Sequence, residues 1–456
     1  LNVRDLTFIE ACRHLISLDS TPGRGNIDAA AFVGELCESA GLVVEYQRES
    51  LDGIEQCNVI ARPPSDVVGP LPVAELLLQT HIDTVEPGHF SLWTRTQANP
   101  FNASIYNDLI YGLGVAEAKL DFLCKFEAVK KIAKQKLRKP FVLAATFGAQ
   151  RGMAGAIKLV RKKKIRAKWA LVGSPTSMNL ITAGQGLAVI ELFVPFSVEE
   201  KDYRKSHDLQ ESSSSQSKMF SGKAAQGAMA ASAENAIMKM LQYLSQLPNG
   251  IAVMDLDGGI NYNSVPSSSV LEIDIIGGFK DPIVPKLSNI HAGLTQLERK
   301  LSEFRDARFE PPYPTMNLGA IRTNEDGVLL TGSCRLPPTV TDQAYEGWMT
   351  FLKETCAQNN STFRVRDYRK GFETIAASEL VQTGGSILKE MGLCAEPRAF
   401  SGASEASVFS RWGTECIVWG PGQSVGNSHA PNESIKIKDL ETAIEFYHRF
   451  LERFCL

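Results

Sequence analysis

The chain has 456 residues, 44% of them hydrophobic and 22% charged, enough to bury more than one core and to set an expectation of two domains. A net charge of −3 gives no overall field toward nucleic acid or an anionic membrane, and no run approaches the roughly 18 consecutive apolar residues of a membrane span. The nine cysteines are scattered, odd in number and without a Cys-x-x-Cys pair, which argues against a disulfide framework or thiolate metal site and sets a reducing, cytoplasmic expectation.

Apolar residues recur at helical spacing over 5–18 and 27–40, and strand-like runs follow at 43–47, 58–61 and 73–79. Charged residues interrupt 1–18, so this stretch reads as an amphipathic helix and not a secretion signal. A helix over 120–132, a strand over 141–147, a helix over 153–162 and a strand over 169–172 continue an α/β alternation. The basic runs at 130–139 and 161–164 each close an apolar helical pattern and read as solvated helix ends. From about 186 the pattern changes to a strand over 187–194, a Ser-rich loop at 212–215, a helix over 234–244, strands over 268–276 and 328–336, a helix over 342–357 and a strand over 362–369. That order, β-α-β-β-α-β, is a ferredoxin-like α+β unit with a long excursion through 279–325. The α/β pattern resumes from 376.

The first chemical signal is His81-Ile82-Asp83, delivered by the apolar run Leu76-Leu77-Leu78. Alternation places His81 and Asp83 on one face, where the carboxylate can hold the imidazole. Downstream stand Trp93, Asn99-Pro100-Phe101, Tyr111-Gly112-Leu113-Gly114-Val115-Ala116-Glu117-Ala118-Lys119, Gly173-Ser174-Pro175-Thr176, Gly222-Lys223-Ala224-Ala225-Gln226, Asn263-Ser264-Val265-Pro266, Arg335-Leu336-Pro337 and Gly420-Pro421-Gly422, followed by Asn427-Ser428-His429. In this order and spacing, over nearly its whole length, the chain resembles the zinc amidohydrolase family of acetylornithine deacetylase, succinyl-diaminopimelate desuccinylase and aminoacylase. The resemblance implies an α/β fold: a mixed-sheet, zinc-peptidase-like catalytic domain (1–185 and 373–456) with an inserted ferredoxin-like lid and dimerisation domain (186–372).

The family holds two zinc ions about 3.5 Å apart and uses a Glu to take a proton from the bridging water. By resemblance His81 and His429 match ligands of the two metals, and Glu117 stands where the family has a bridging Asp. Its extra methylene moves the oxygens by roughly 1.5 Å, several times the tolerance of metal-ligand distances. Ala149 and Gln150 stand where the family has the general base and a zinc-ligating Glu, Ser174 where it has a further ligating Glu, and Gln226 where a lid His stabilises the oxyanion. None of these four supplies the family's charge or proton acceptor.

Asp83, which would steady His81, is retained. Arg335, Asn263 and Gly402 match positions that grip the substrate, Arg335 by a bidentate bond to its carboxylate. The sequence therefore sets the expectation of a non-catalytic relative, a pseudoenzyme, with no zinc or one weakly bound zinc and not two. Its expected partners are a small carboxylate or amino-acid-like ligand and a second copy of itself, with no nucleic acid and no membrane. The alternative is a weak amidohydrolase with one metal on His81, Glu117 and His429, acting on N-acyl amino acids or short peptides.

Overall fold

A computed structural model describes residues 2–64, 73–149, 151–161, 165–207, 209, 216–223, 225–226, 233–276 and 280–456. The chain divides into two compact units, one of Leu1–Ala183, Phe372–Ala399 and Ser404–Leu456, the other of Gly184–Gly371 and Phe400–Ala403.

The first unit is built on a mixed nine-stranded sheet. Its order is Val43–Leu51, Ile54–Arg62, Phe141–Thr146, Val73–His81, Arg166–Val172, Glu415–Val418, Ile181–Gly184 and Phe372–Glu373, with Arg398–Phe400 also beside Ile181–Gly184. The four strands from Phe141–Thr146 to Glu415–Val418 run parallel. Every residue of Phe141–Thr146 is buried, as a parallel strand covered on both faces requires. Leu76, Leu78, Leu143 and Leu171 of the sheet join Phe122 and Phe126 of the helix Lys119–Ile132 and Phe446 and Phe450 of the helix Ile437–Cys455 in one core. At the amino end, Thr7 starts the helix Phe8–Ser17 by a capping box with Glu10. All nine cysteines are free thiols, eight of them buried, and among the described residues no helix is long and apolar enough to cross a membrane.

A polar network lies inside this core. Lys125 and Asp121, one turn apart on Lys119–Ile132, are buried and paired at 2.9 Å. Lys125 Nζ also donates to the Gln79 carbonyl at 2.7 Å and to Thr80 Oγ1 at 2.8 Å, and Thr80 donates to Asp121 Oδ2 at 2.5 Å. The Tyr447 hydroxyl donates to the other carboxylate oxygen. Gly173 passes so close that a Cβ on it would stand 2.5 Å from Thr80 Oγ1 and 2.7 Å from Lys125 Nζ, leaving no room for any side chain.

The second unit is α+β. Its seven-stranded antiparallel sheet has the order Gln216–Ser221, Ser268–Ile275, Ile251–Gly259, Thr315–Asn324, Gly327–Leu336, Gly186–Pro195 and Thr362–Arg369. Residues Leu192, Leu256, Leu271, Leu318 and Leu330 pack on one face with the helices Ala236–Leu244, Ile283–Ser302 and Asp342–Gln358.

The expected excursion through 279–325 is corrected here, because it contains the 20-residue helix Ile283–Ser302 and the central strand Thr315–Asn324. Pro282 and Pro285 hid the helix, although they sit at its cap and first turn, where proline costs little. A register shift between Leu318 and Ala320 broke the strand's alternation. The Ser-rich stretch 212–215 lies outside the described residues.

Removing one member of a buried ion pair strands the other without compensation. Lys125→Ala or Asp121→Ala is expected to lower unfolding free energy by about 3–5 kcal/mol, read from urea denaturation. A loss below 1 kcal/mol would show that the network carries little of the fold.

Candidate functional site

Three parallel strands leave the first unit's sheet at one edge. His81 is paired with Thr146, and Gln79 with Val172, so His81, the turn Phe147–Ala149 and the segment Gly173–Ser174 emerge side by side. Such carboxyl ends of parallel strands are where α/β sheets place their sites. His81 and Asp83 are both buried, with the imidazole Nδ1 3.1 Å from the Asp83 carbonyl and 3.3 Å from its carboxylate. Asp83 also accepts from the Ala149 amide at 3.3 Å, which ties the next turn to the same carboxylate. Burial opposes a charge on His81. The hydrogen bond and charge of Asp83, followed by the charges of Glu405 and Glu117, outweigh it and push the imidazole up to about 9.

Glu117 precedes the helix Lys119–Ile132, and its peptide to Ala118 is cis. Its carboxylate lies 3.3 Å from His429 Nε2. Two glycines allow the loop before His429 to close on the site. A Cβ on Gly420 would stand 2.5 Å from the Ser174 carbonyl, and one on Gly422, at φ +89°, 3.1 Å from the Ala116 carbonyl. Lys119 is wholly buried and donates to the carbonyls of Leu15 and Leu18 at 3.2 and 2.6 Å. Burial pulls its ammonium down to about 7, against the attraction of Asp19, Asp83 and Glu433.

Two acids absent from the sequence-derived site hold it from behind. Glu405 is buried and accepts from Thr146 Oγ1 at 2.8 Å and Gln79 Nε2 at 2.5 Å. Burial raises its carboxyl while the neighbouring His81 cation lowers it. Glu433 accepts from the amides of Ala116 at 2.8 Å and Glu117 at 3.1 Å. Burial, stronger than these backbone bonds, pushes it up to about 7. The available signals were proximity to named motifs, with Glu405 three residues after Gly402 and Glu433 four after His429.

The structure thus joins His81 to Asp83 and Ala149, and Glu117 to His429. It does not gather His81, Glu117 and His429 into one group: among the described residues no three or more His, Cys, Asp or Glu side chains are placed to hold a metal ion. A catalytic zinc takes three protein ligands, and Ala149 and Ser174, at the strand ends beside His81, offer no carboxylate. Gln150 and Ala224 lie outside the described residues. The backbone of Gln226 pairs with Ser264 in a two-stranded ribbon.

The expected substrate-gripping residues belong to the second unit. Arg335 donates from Nη2 to Asn263 Oδ1 at 2.5 Å, while its Nε and Nη1 are buried without a partner among the described residues. Burial lowers its guanidinium. At Gly402, a Cβ would collide with the ring of Phe400.

A family profile described as Peptidase family M20/M25/M40 matches residues 77–453. The acetylornithine deacetylase of Myxococcus xanthus is 23% identical over 452 residues, covering 97% of this chain and 96% of its own. Among solved structures, an aminoacylhistidine dipeptidase from Vibrio alginolyticus superposes with a TM-score of 0.64 at 13% identity, covering 99% of this chain and 98% of its own. An M20 family metallo-carboxypeptidase from Sulfolobus solfataricus gives 0.63 at 18%, covering 98% and 99%. At these identities the structural matches establish fold alone.

Glu433 gives the site a measurable pH signature. Its folded pKa is raised, so the native state holds this proton more tightly than the unfolded chain. The resulting stability is present below about 4.5 and is lost as pH rises through about 7. Glu433→Gln is expected to remove a decline on the order of 3 kcal/mol between pH 4.5 and 8, measured as the difference between wild-type and variant denaturation curves. Parallel curves across that window would rule out a buried, proton-holding Glu433.

Proposed function

Because the chain belongs to the peptidase family M20/M25/M40, we propose that it is a non-catalytic member that keeps a carboxylate pocket and has given up hydrolysis. The observation that carries this reading is Ala149 and Ser174 at the two strand ends flanking His81. Ala149 cannot take a proton from water, and loss of a general base typically removes about 10²- to 10⁴-fold in rate. Ser174 is too short and neutral to complete a metal's ligand set. The buried Arg335, with two nitrogens unpartnered among the described residues, supports retained binding of a carboxylate such as that of an N-acyl amino acid or a short peptide. On the same reading the inserted unit pairs two copies of the chain, which sedimentation would report as a dimer.

Purified protein is expected to carry well under one zinc per chain by elemental analysis and to show no turnover of N-acyl amino acids or dipeptides above background. Ala149→Glu, Gln150→Glu and Ser174→Glu combined are expected to raise bound zinc. Stoichiometric zinc together with turnover comparable to an acetylornithine deacetylase would overturn the reading. Arg335→Gln is expected to abolish the thermal stabilisation that N-acyl amino acids give the wild type, and an unchanged shift would remove Arg335 from the pocket.

The contact between Glu117 and His429 favours one second reading, a weak amidohydrolase with a single metal that His81 joins on binding. It requires one zinc per chain and loss of that zinc in His429→Ala.

A further inference from the structure

One end of the second unit's sheet carries a row of unsatisfied polar groups. Thr315 is paired with Arg335, Arg335 with Leu187, and Leu187 with Arg369. Directly opposed residues share a face. This is the face away from the helices, because Met316, Cys334, Leu336 and Ala188 supply the helix-covered core. Gln185 lies two residues before Leu187, immediately ahead of the strand Gly186–Pro195.

All four polar members are at least nine-tenths buried: Gln185 is 1% exposed, Thr315 6%, Arg335 6% and Arg369 8%. Six of their side-chain atoms have no hydrogen-bond partner among the described residues, namely both amide atoms of Gln185, Thr315 Oγ1, Nε and Nη1 of Arg335, and Nε of Arg369. Buried polar groups are nearly always satisfied in native proteins, and clustered exceptions need a cause.

The charges in the row specify the missing partner. Asp367 pairs with Arg369 and neutralises it, whereas among the described residues Arg335 meets only the neutral amide of Asn263. One positive charge therefore remains, which calls for one negative charge. The other open atoms are mixed: Arg369 Nε and Gln185 Nε2 donate, Gln185 Oε1 accepts, and Thr315 does either. A second carboxylate would satisfy the donors and leave Gln185 Oε1 facing another acceptor. A carboxamide offers one oxygen and one NH₂ and matches both sides.

We infer that this row binds an organic monoanion whose carboxylate lies on Arg335 and whose carboxamide, a few carbons away, lies between Gln185 and Arg369. Arg335 and Arg369 stand on either side of one intervening strand, roughly 9–10 Å apart at their Cα atoms. Two arginine side chains are long enough to close much of that gap, so a short acyclic spacer spans the rest. The inference rests on the carboxylate reading of Arg335 and adds the second group.

Calorimetric titration of the full-length protein with three five-carbon acids tests it: glutaramate (carboxylate plus carboxamide), glutarate (two carboxylates) and valerate (one carboxylate). Glutaramate is expected to bind at least tenfold more tightly than either of the others. Gln185→Met is expected to bring glutaramate to the level of valerate while leaving valerate unchanged, and Arg335→Gln to weaken all three. Equal binding of glutaramate and valerate would overturn the carboxamide subsite while leaving the Arg335 reading intact, and glutarate binding tightest would overturn it in favour of charge. Failure of all three acids to bind would remove both readings. The wild-type ranking decides the matter even if a variant fails to fold.

Discussion

Lys125 approaches the end of the central strand from inside the core and holds the Gln79 carbonyl and the Thr80 hydroxyl, the two positions before His81. Its helix begins at Lys119, two residues beyond Glu117, and its partner Asp121 is bound by Tyr447 from the last helix. A single buried ion pair therefore fixes where the strand delivers its imidazole, where the following helix starts and how the carboxyl-terminal helix closes over both. Such a pair is poor at adding net stability, since desolvation consumes much of its attraction. Its value is positional: the charges tolerate only the arrangement in which every donor and acceptor is met.

The two units present opposite electrostatic problems. In the first, the acids Asp83, Glu117, Glu405 and Glu433 crowd one site, and burial raises Glu405 and Glu433 even though the His81 cation lies beside Glu405. In the second, Arg335 is buried without a carboxylate partner among the described residues. Each unit, taken alone, is tuned toward a group of the opposite sign, a proton or cation in one and an anion in the other.

Periodicity made most of the fold legible, because strands such as Ser268–Ile275 and helices such as Asp342–Gln358 bury one repeating set of residues. Where backbone irregularity interrupted the repeat, as at Leu318 to Ala320 or Pro285, the element was lost to inspection. Motif order singled out His81, Glu117, His429 and Arg335 as candidates, and short-range alternation anticipated the contact of His81 with Asp83. It gave no access to Glu405, Glu433 or Lys125. An isolated charged residue reads as solvated unless its tertiary surroundings are known, and only the packed sheet reveals that these three are buried. Nor could spacing show that Glu117 meets His429 and leaves His81 to Asp83.

Gly173 and Ser174 are neighbours with opposite freedoms. The first is wedged against Thr80 and Lys125, where even a methyl group has no space, whereas the side chain of the second is only partly enclosed. Reactive groups at this edge can thus be exchanged one residue at a time while the scaffold beside them stays fixed. Selection on folding and selection on chemistry act on different atoms, so a lineage can abandon a reaction without first passing through an unstable ancestor. The same separation leaves behind a rigid, correctly shaped host on which recognition can be rebuilt for another purpose.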